Sequence, residues 1–277
     1  MDEEMQMPVE ERVTSNWEPL KFETSSDYDY LRNVWYKRLG TALFRRLVAF
    51  ILCFYNGLVL GVKVHGRENL RALRDTGAVA VCNHVHDMDC TINNIALLPR
   101  RVYHVSLDSN FRIPVVRHII RWLGAVPLSR SPKQVRRLFS EMETALRAGA
   151  IVQVYPEGVL VPYARQMREF HNGGFRMAAE ANVPVLPMML LQRQPRGILR
   201  LWKRKPCMEL YILPPIIPQE GLSRPEAVAR YRREARAAME QAAEKYQNAK
   251  ISKKPLDKVG ILRYNSKAVR ETEKMLL

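Results

Sequence analysis

The side chains with the most chemical potential lie in one short polar stretch, Asn83-His84-Val85-His86-Asp87-Met88-Asp89. His84 and Asp89 are five residues apart, which on a regular helix places them about 140° apart around the axis. They can therefore meet only if the chain turns between them, with a strand delivering His84 and a helix beginning at Asp89. In that geometry the carboxylate accepts Nδ1–H of the imidazole and leaves Nε2 free to take a proton.

No serine or cysteine nucleophile accompanies this pair, so its chemistry is that of a general base activating a substrate hydroxyl directly. Other interpretations stay open on these residues alone. The stretch could be a polar surface loop, or His86 could be the base. A metal site built from His84, His86 and the two aspartates is a third alternative, because His-x-His is a ligand spacing, but the sequence singles out no distant fourth ligand.

Further short motifs follow this stretch along the chain. Gly124 is followed six residues later by Arg130, residues 155–158 read Tyr-Pro-Glu-Gly, and residues 183–187 read Val-Pro-Val-Leu-Pro. Together with Asn83, His84 and Asp89, these blocks resemble the N-H-x₄-D signature and the later motifs of the PlsC-type glycerolipid acyltransferases (1-acyl-sn-glycerol-3-phosphate acyltransferase-like). The resemblance spans roughly residues 62–215, and four blocks in order are far more specific than any one of them.

The resemblance implies a reaction and roles for its residues. His84 deprotonates the hydroxyl of a lysophospholipid, most simply 1-acylglycerol 3-phosphate, and Asp89 orients His84. The hydroxyl attacks an acyl thioester, acyl-CoA or acyl-carrier protein, with no further cofactor and no metal. Arg130 holds the acceptor phosphate, which suits its planar guanidinium. The positions assigned to substrate binding are Asn83, Arg130, Glu157 and Gly158.

Two departures from the family pattern concern the acceptor. Val159-Leu160-Val161 stand where the family usually continues with Thr-Arg-Ser, and His171 stands where it often has a lysine. Arg165 or Arg168 could compensate. The reaction type is therefore better supported than the acceptor, and a non-phosphorylated acceptor is an alternative.

The elements that position these residues alternate between β-rich and helical patterns. Strands are predicted at residues 78–82, 102–107, 151–155, 183–191 and 208–213, and helices at 115–123, 132–148, 174–181 and 225–250. Such alternation predicts an α/β fold, a mixed, largely parallel sheet flanked by helices. Because prolines are rare in central strands, Pro184 and Pro187 predict that 183–191 is irregular or near an edge.

The charge is strongly basic and unevenly placed. The net charge is +16, and residues 1–30 hold nine acidic and two basic residues, so the remaining chain carries +23. A body this basic predicts an anionic partner: nucleic acid, an anionic bilayer or a phosphorylated substrate. No nucleic-acid-binding motif is present, so a basic lipid- or nucleic-acid-binding protein without catalysis is kept only as an alternative. The four cysteines lack C-x-x-C spacing, which indicates buried thiols in a reducing compartment.

The chain divides into four predicted segments: an acidic, flexible tail (1–30), an apolar, membrane-associated helical segment (31–62), the acyltransferase core (63–215) and a basic helical C-terminal region (216–277). Residues 47–62 are uncharged, yet fall short of the roughly 20 apolar residues that a spanning helix needs. We expect a helix that inserts without spanning, at the cytoplasmic face of a membrane. A buried core helix and a true span are the alternatives.

Overall fold

The structure is a computed structural model, and it describes residues 28–31, 35–113, 116–129, 131–164, 166–201 and 203–252. The chain divides into two compact units, residues 1–243 and 244–277. Of the second unit, only residues 244–252 are described, and they are helical.

Strands and helices alternate through the first unit, as the sequence pattern predicts. Among the described residues, the seven strands are β1 (Lys63–His65), β2 (Ala78–Cys82), β3 (Val102–Leu107), β4 (Ala125–Leu128), β5 (Ile151–Val154), β6 (Val185–Arg193) and β7 (Cys207–Ile212). The α-helices are α1 (Trp35–Phe54), α2 (Asp89–Ala96), α3 (Val116–Trp122), α4 (Pro132–Arg147), α5 (Gly173–Ala181) and α6 (Arg224–Ser252). A π-helical turn, Tyr55–Val59, follows α1, and 3₁₀ turns cover Arg67–Leu73, Asp108–Arg112 and Gly197–Leu201.

The strands form one mixed sheet in the order β1-β7-β6-β2-β5-β3-β4. All neighbouring pairs are parallel except β6–β7, which is antiparallel. The carboxyl ends of β6, β2, β5, β3 and β4 therefore lie at one edge of the sheet. The loops that follow β2 and β5 carry the His84–Asp89 and Tyr155–Gly158 motifs, whereas residues 183–187 lie at the start of β6.

Both faces of the sheet are covered, as expected for parallel strands. All five residues of β2 are buried, and they alternate between two cores: Val79 and Val81 face one, and Ala78, Ala80 and Cys82 face the other. Helices α4, α5 and α6 contribute to the first core, and α2 contributes to the second. The predicted α/β fold class is confirmed.

β6 is an interior strand with a break in its pairing, so of the two predicted alternatives, irregular or near an edge, the structure shows the first. Its pairing explains how proline is accommodated. The ladder with β7 begins at Met188, and Val185 pairs instead with Ile216. Pro187 lies between these two pairings, where its carbonyl accepts a hydrogen bond from the Leu213 N–H at 2.9 Å, and its missing N–H interrupts no continuous ladder.

The last residues of the predicted flexible tail pack against the core. Tyr28 and Tyr30 are 9% and 4% exposed. Arg137 donates to the carbonyl of Tyr28 at 3.0 Å, and Arg121 donates to that of Asp29 at 3.2 Å. Residues 28–30 are therefore held against the core, because the paired tyrosine rings offer apolar area and the backbone carbonyls offer acceptors. Residues 1–27 lie outside the described part of the chain.

Helix α1 presents an apolar stripe to solvent. Leu43, Leu47, Phe50 and Phe54, spaced three or four residues apart, are between 57% and 78% exposed. A window of 18 residues, Ala42–Val59, has mean hydropathy 1.6 with 6% of its residues buried, and by length and composition it could cross a membrane. The exposure of these side chains is inconsistent with the alternative of a buried core helix.

Candidate active site

The polar stretch forms the corner that the five-residue spacing requires. β2 ends at Cys82, the chain turns, and α2 begins at Asp89. The turn brings His84 Nδ1 within 2.9 Å of Asp89 Oδ2. The His84 side chain is 23% exposed and that of Asp89 is fully buried. The imidazole thus has one nitrogen fixed from inside the protein while the ring remains accessible from outside.

Asp89 is held mainly by the backbone of the turn. Its Oδ2 accepts the N–H of Val85 at 2.7 Å and that of His86 at 3.0 Å, in addition to Nδ1–H of His84. Its Oδ1 is buried with no hydrogen-bond partner among the described residues. Two fixed backbone donors and one imidazole N–H converge on a single oxygen, an arrangement that favours the His84 tautomer with Nε2 unprotonated.

Tyr155, the residue after β5, forms a wall against the imidazole. Its ring stacks on His84 with centroids 4.0 Å apart and planes 14° apart. Its hydroxyl accepts a hydrogen bond from Nδ2 of Asn93 at 3.2 Å, and Asn93 lies on α2, the helix that begins at Asp89. Burial raises the pKa of the Tyr155 phenol well above its ordinary value. Tyr155 is therefore neutral, and it fixes the plane of the ring whose Nδ1 is fixed by Asp89.

Glu157 lies beside this pair in the Tyr155-Pro156-Glu157-Gly158 turn. It is 3% exposed, and burial raises its pKa, while the backbone N–H groups of Arg168 and His84 lower it. The Arg168 N–H lies 3.4 Å from Oε2, and Oε1 is buried with no partner among the described residues. A buried carboxyl group with a free oxygen beside an exposed base suits binding of a substrate hydroxyl.

Gly158 closes the turn with φ +72°, a conformation that favours glycine. A Cβ here would lie 3.1 Å from Cδ2 of His171, so His171, one of the departures from the family pattern, lies directly beside Gly158. The following segment folds back over the catalytic turn, where Val161 N–H donates to the His84 carbonyl at 3.2 Å. The Val159-Leu160-Val161 replacement therefore adjoins the candidate base.

Asn83 serves the scaffold. It is 3% exposed, and its amide makes two hydrogen bonds to the backbone of Leu190 on β6: Nδ2 donates to the carbonyl at 2.9 Å, and Oδ1 accepts the N–H at 2.7 Å. Both polar ends of the side chain are thus used where β2 ends. Asn83 therefore holds the end of β2 against β6, and the substrate contact assigned to it stays a prediction.

His86 is oriented differently from His84. Its Nδ1 accepts the N–H of Met88 at 3.1 Å, and its ring meets Tyr163 edge-on at 5.7 Å. Burial lowers its pKa, and although Asp89 and Asp87 raise it, Lys203 and Lys205 lower it again. Within the described ranges, no group of three or more His, Cys, Asp or Glu side chains could hold a metal ion.

The predicted arginines are not all placed. β4 ends at Leu128, at the same edge as β2, but Arg130 itself lies outside the described residues, as does Arg165. Arg168 is exposed, and its charge lowers the pKa of Glu157 as a minor contribution. The structure thus brings together His84, Asp89, Glu157 and Gly158. All four cysteines are free; Cys82 and Cys207 are buried, whereas Cys53 and Cys90 are exposed, contrary to expectation.

Comparison with known proteins finds relatives for the part of the chain that carries this site. A family model described as Acyltransferase matches residues 61–191. The chloroplastic 1-acyl-sn-glycerol-3-phosphate acyltransferase of Brassica napus is 32% identical over 129 residues, 46% of this chain and 36% of that protein. The 1-acyl-sn-glycerol-3-phosphate acyltransferase of Chlamydomonas reinhardtii is 31% identical over 157 residues, 56% of this chain and 45% of that protein. That of Pseudomonas aeruginosa is 30% identical over 129 residues, 45% of this chain and 48% of that protein.

A solved structure has the same fold. It is the 1-acyl-sn-glycerophosphate acyltransferase PlsC from Thermotoga maritima, with a TM-score of 0.55 and 21% identity, covering 76% of this chain and 88% of that one. The family model and the relatives support the resemblance of residues 61–191 to the PlsC-type acyltransferases. The matched residues include the His84–Asp89 corner, the Tyr155–Gly158 turn and most of β6. The chain spans between about a third and a half of the length of the curated relatives that it matches.

Two parts of the candidate site are not evident from the sequence. The stacking of Tyr155 on His84 and its support by Asn93 depend on β5 lying next to β2. The two lysines whose charges act on His86 follow β6, on the other side of β2. The aromatic residue before Pro-Glu-Gly is a sequence signal for the stacking on His84, whereas the sequence carries no signal that the two lysines lie near His86.

Proposed function

We propose that this protein transfers a fatty acyl group from an acyl thioester to the hydroxyl of a lysophospholipid, most simply 1-acylglycerol 3-phosphate. The observation that carries the proposal is the His84–Asp89 pair. A partly exposed imidazole has Nδ1 held 2.9 Å from a buried carboxylate, and its Nε2 is the nitrogen left to accept a proton. The names of the relatives support the same activity.

The reaction needs no covalent enzyme intermediate. Nε2 of His84 removes the proton of the acceptor hydroxyl as the oxygen attacks the thioester carbonyl. The carbon–sulfur bond then breaks, the imidazolium returns its proton to the leaving thiolate, and an ester and a free thiol result. Asp89 stabilises the transient imidazolium, and Tyr155 keeps its ring in plane. The donor is a long-chain acyl-CoA or acyl-carrier protein, both of which are polyanions suited to a basic protein.

The acceptor binds on the side of the Tyr155–Gly158 turn. Glu157 accepts a hydrogen bond from a glycerol hydroxyl through its unpaired oxygen, and cationic side chains at the same edge of the sheet bind the phosphate. The half-buried Val159, Leu160 and Val161 favour a second candidate, transfer to an acceptor without phosphate, such as a monoacylglycerol.

The protein acts at a membrane surface. The exposed apolar stripe of α1 supports insertion into the acyl region of a bilayer, and the basic body would remain among anionic headgroups at the cytoplasmic face. Lysophospholipids reside in that layer, so α1 would hold the catalytic edge of the sheet near its substrate.

The decisive experiment measures thiol release from long-chain acyl-CoA by detergent-solubilised protein, with 1-acylglycerol 3-phosphate or 1-acylglycerol as acceptor. We expect His84→Ala to lower kcat by about 10²- to 10⁴-fold, as loss of a general base does. His118→Ala is the control, because His118 is exposed on α3. Undiminished release in His84→Ala, or loss in His86→Ala alone, would show that His84 is not the base.

A further inference from the structure

The loop between β6 and β7 carries a concentration of positive charge. Residues 194–206 contain five basic residues and no acidic one, Arg196, Arg200, Lys203, Arg204 and Lys205. β6 and β2 are parallel neighbours, so this loop leaves the sheet at the edge where the chain turns into His84. The charge is therefore next to the catalytic turn, on the opposite side of β2 from the Tyr155–Gly158 turn.

Lys203 is attached to the elements that form the site. Its Nζ donates to the carbonyl of Val59 at 2.8 Å, in the π-helical turn after α1. That turn is tied to α2, because the Thr91 hydroxyl donates to Oδ1 of Asn56 at 3.3 Å. α2 begins at Asp89. The ammonium group is thus fixed relative to the catalytic corner through two short contacts.

The charges of Lys203 and Lys205 reach the catalytic turn. Both lower the pKa of His86, two residues from His84. Burial lowers the pKa of Lys203, and the positive charges of Lys205 and Arg193 lower it further. Among the described residues, neither lysine forms an ion pair with a carboxylate, whereas Arg193 pairs with Glu209 at 3.0 Å. An anion between the two lysines would relieve their mutual repulsion.

The surroundings favour a lipid as the source of that anion. Leu201 is 82% exposed, and Leu58 and Val59 are 45% and 44% exposed. These side chains continue the exposed apolar surface of α1 up to the lysines. An amphiphile can therefore lay its chain against apolar side chains and its headgroup against ammonium groups.

We propose that Lys203 and Lys205 bind the phosphate monoester of the acceptor lipid, in place of the polar residues that are missing after Gly158. The inference rests on the proposed function for its substrate. A phosphate monoester carries nearly two negative charges at neutral pH, which two lysines can neutralise. Binding here would place the headgroup beside the turn that presents His84.

The test separates phosphate binding from other roles of the same charges. Lys203→Gln and Lys205→Gln are compared with wild type for binding of 1-acylglycerol 3-phosphate and of 1-acylglycerol in detergent micelles, and for KM of both acceptors and of acyl-CoA. Arg74→Gln is the matched control, because Arg74 is exposed just before β2, at the opposite edge of the sheet. Lys205→Arg retains the charge.

We expect each glutamine variant to weaken binding of 1-acylglycerol 3-phosphate, and to raise its KM, by about tenfold, the effect of one lost charge-assisted hydrogen bond. Binding of 1-acylglycerol, KM for acyl-CoA and the Arg74→Gln protein should not change, and Lys205→Arg should stay close to wild type.

Three results would overturn the assignment. Equal loss with 1-acylglycerol would indicate a general disturbance of the site, and a rise confined to KM for acyl-CoA would assign the lysines to the donor. Unchanged micellar binding with weaker sedimentation on anionic vesicles would assign them to bilayer headgroups. If wild type makes no ester from either acceptor, the proposed function fails, and the binding comparison still decides what the lysines hold.

Discussion

Replacing Asp89 with asparagine isolates the contribution of its negative charge. Val85 N–H and His86 N–H lie 2.7 and 3.0 Å from Oδ2, and only the oxygen of an asparagine amide can accept from them. The amide oxygen is therefore held toward the turn, where it also accepts Nδ1–H of His84. The variant keeps the tautomer and the orientation of the imidazole and loses the carboxylate charge.

The size of the effect follows from the burial of this pair. A hydrogen bond to a charged group exceeds one between neutral groups by about 1 kcal/mol. A full unit charge about 4 Å away, at an effective dielectric constant of about 20, contributes about 4 kcal/mol. Because each factor of ten in rate corresponds to about 1.4 kcal/mol, kcat should fall by roughly 5- to 1,000-fold. The amide NH₂ group occupies the site of the unpaired Oδ1, which costs about 1–3 kcal/mol of stability.

The assay is thiol release at saturating acceptor, with thermal unfolding measured on the same preparations. Asp87→Asn is the matched control, since Asp87 is exposed in the same turn, and it should leave kcat and Tm unchanged. A kcat of Asp89→Asn within about twofold of wild type would refute an electrostatic role for Asp89. A loss well beyond about 1,000-fold at a near-native Tm would refute the backbone clamp, because it would mean that the amide has turned its NH₂ group toward the imidazole.

Three further predictions concern the walls and surroundings of the site. Tyr155→Leu should lower kcat by about three- to tenfold, since an aromatic stack contributes about 0.5–1.5 kcal/mol. Tyr155→Phe keeps the stack and should have a kcat near that of wild type. Equal losses in the two variants would mean that the hydrogen bond to Asn93, not the stack, is what matters. Glu157→Gln should raise Tm relative to wild type at about pH 8 and not at about pH 4. The pKa of Glu157 is raised in the folded protein, so the protonated side chain stabilises the fold below its ordinary pKa. This contribution is lost as the pH rises through the pKa of the folded state. Glu220→Gln, at an exposed position, should show no such difference. Replacing Leu47 and Phe50 with serine should lower binding to vesicles by at least about tenfold, because burying each apolar side chain on insertion contributes about 1.5–3 kcal/mol. Unchanged binding would exclude α1 as the membrane contact.

The corner at His84 could be predicted because it is a local property of the chain. A spacing of five excludes a shared helix face, and the only remaining solution, a strand, a turn and a helix beginning at Asp89, is what the structure contains. The same holds for the helix of α4, where Pro132 begins the helix and Gly149, at φ +83°, follows its end.

The sequence did not predict features that depend on which strands become neighbours. Tyr155 lies 71 residues after His84, and it reaches the imidazole because β5 lies beside β2. Lys203 and Lys205 lie near the same turn because β6 takes the other side of β2. Pro184 and Pro187 predict a strand that is irregular or near an edge, and proline statistics alone do not choose between an interior strand with broken pairing and an edge strand. Strand order is a property of the whole core, and single-segment patterns do not encode it.

The two backbone donors to Asp89 have a consequence for how the motif can vary. Since Val85 and His86 act through their N–H groups, the spacing between histidine and aspartate is specified by main-chain geometry, and most side chains in the interval are free to differ. Proline is the exception, because at position 85 or 86 it would remove one of the donors. Position 85 is further restricted to apolar residues, as Val85 is 2% exposed, whereas position 87 faces solvent. The backbone geometry of the turn therefore restricts which residues can occupy the four unspecified positions of the signature.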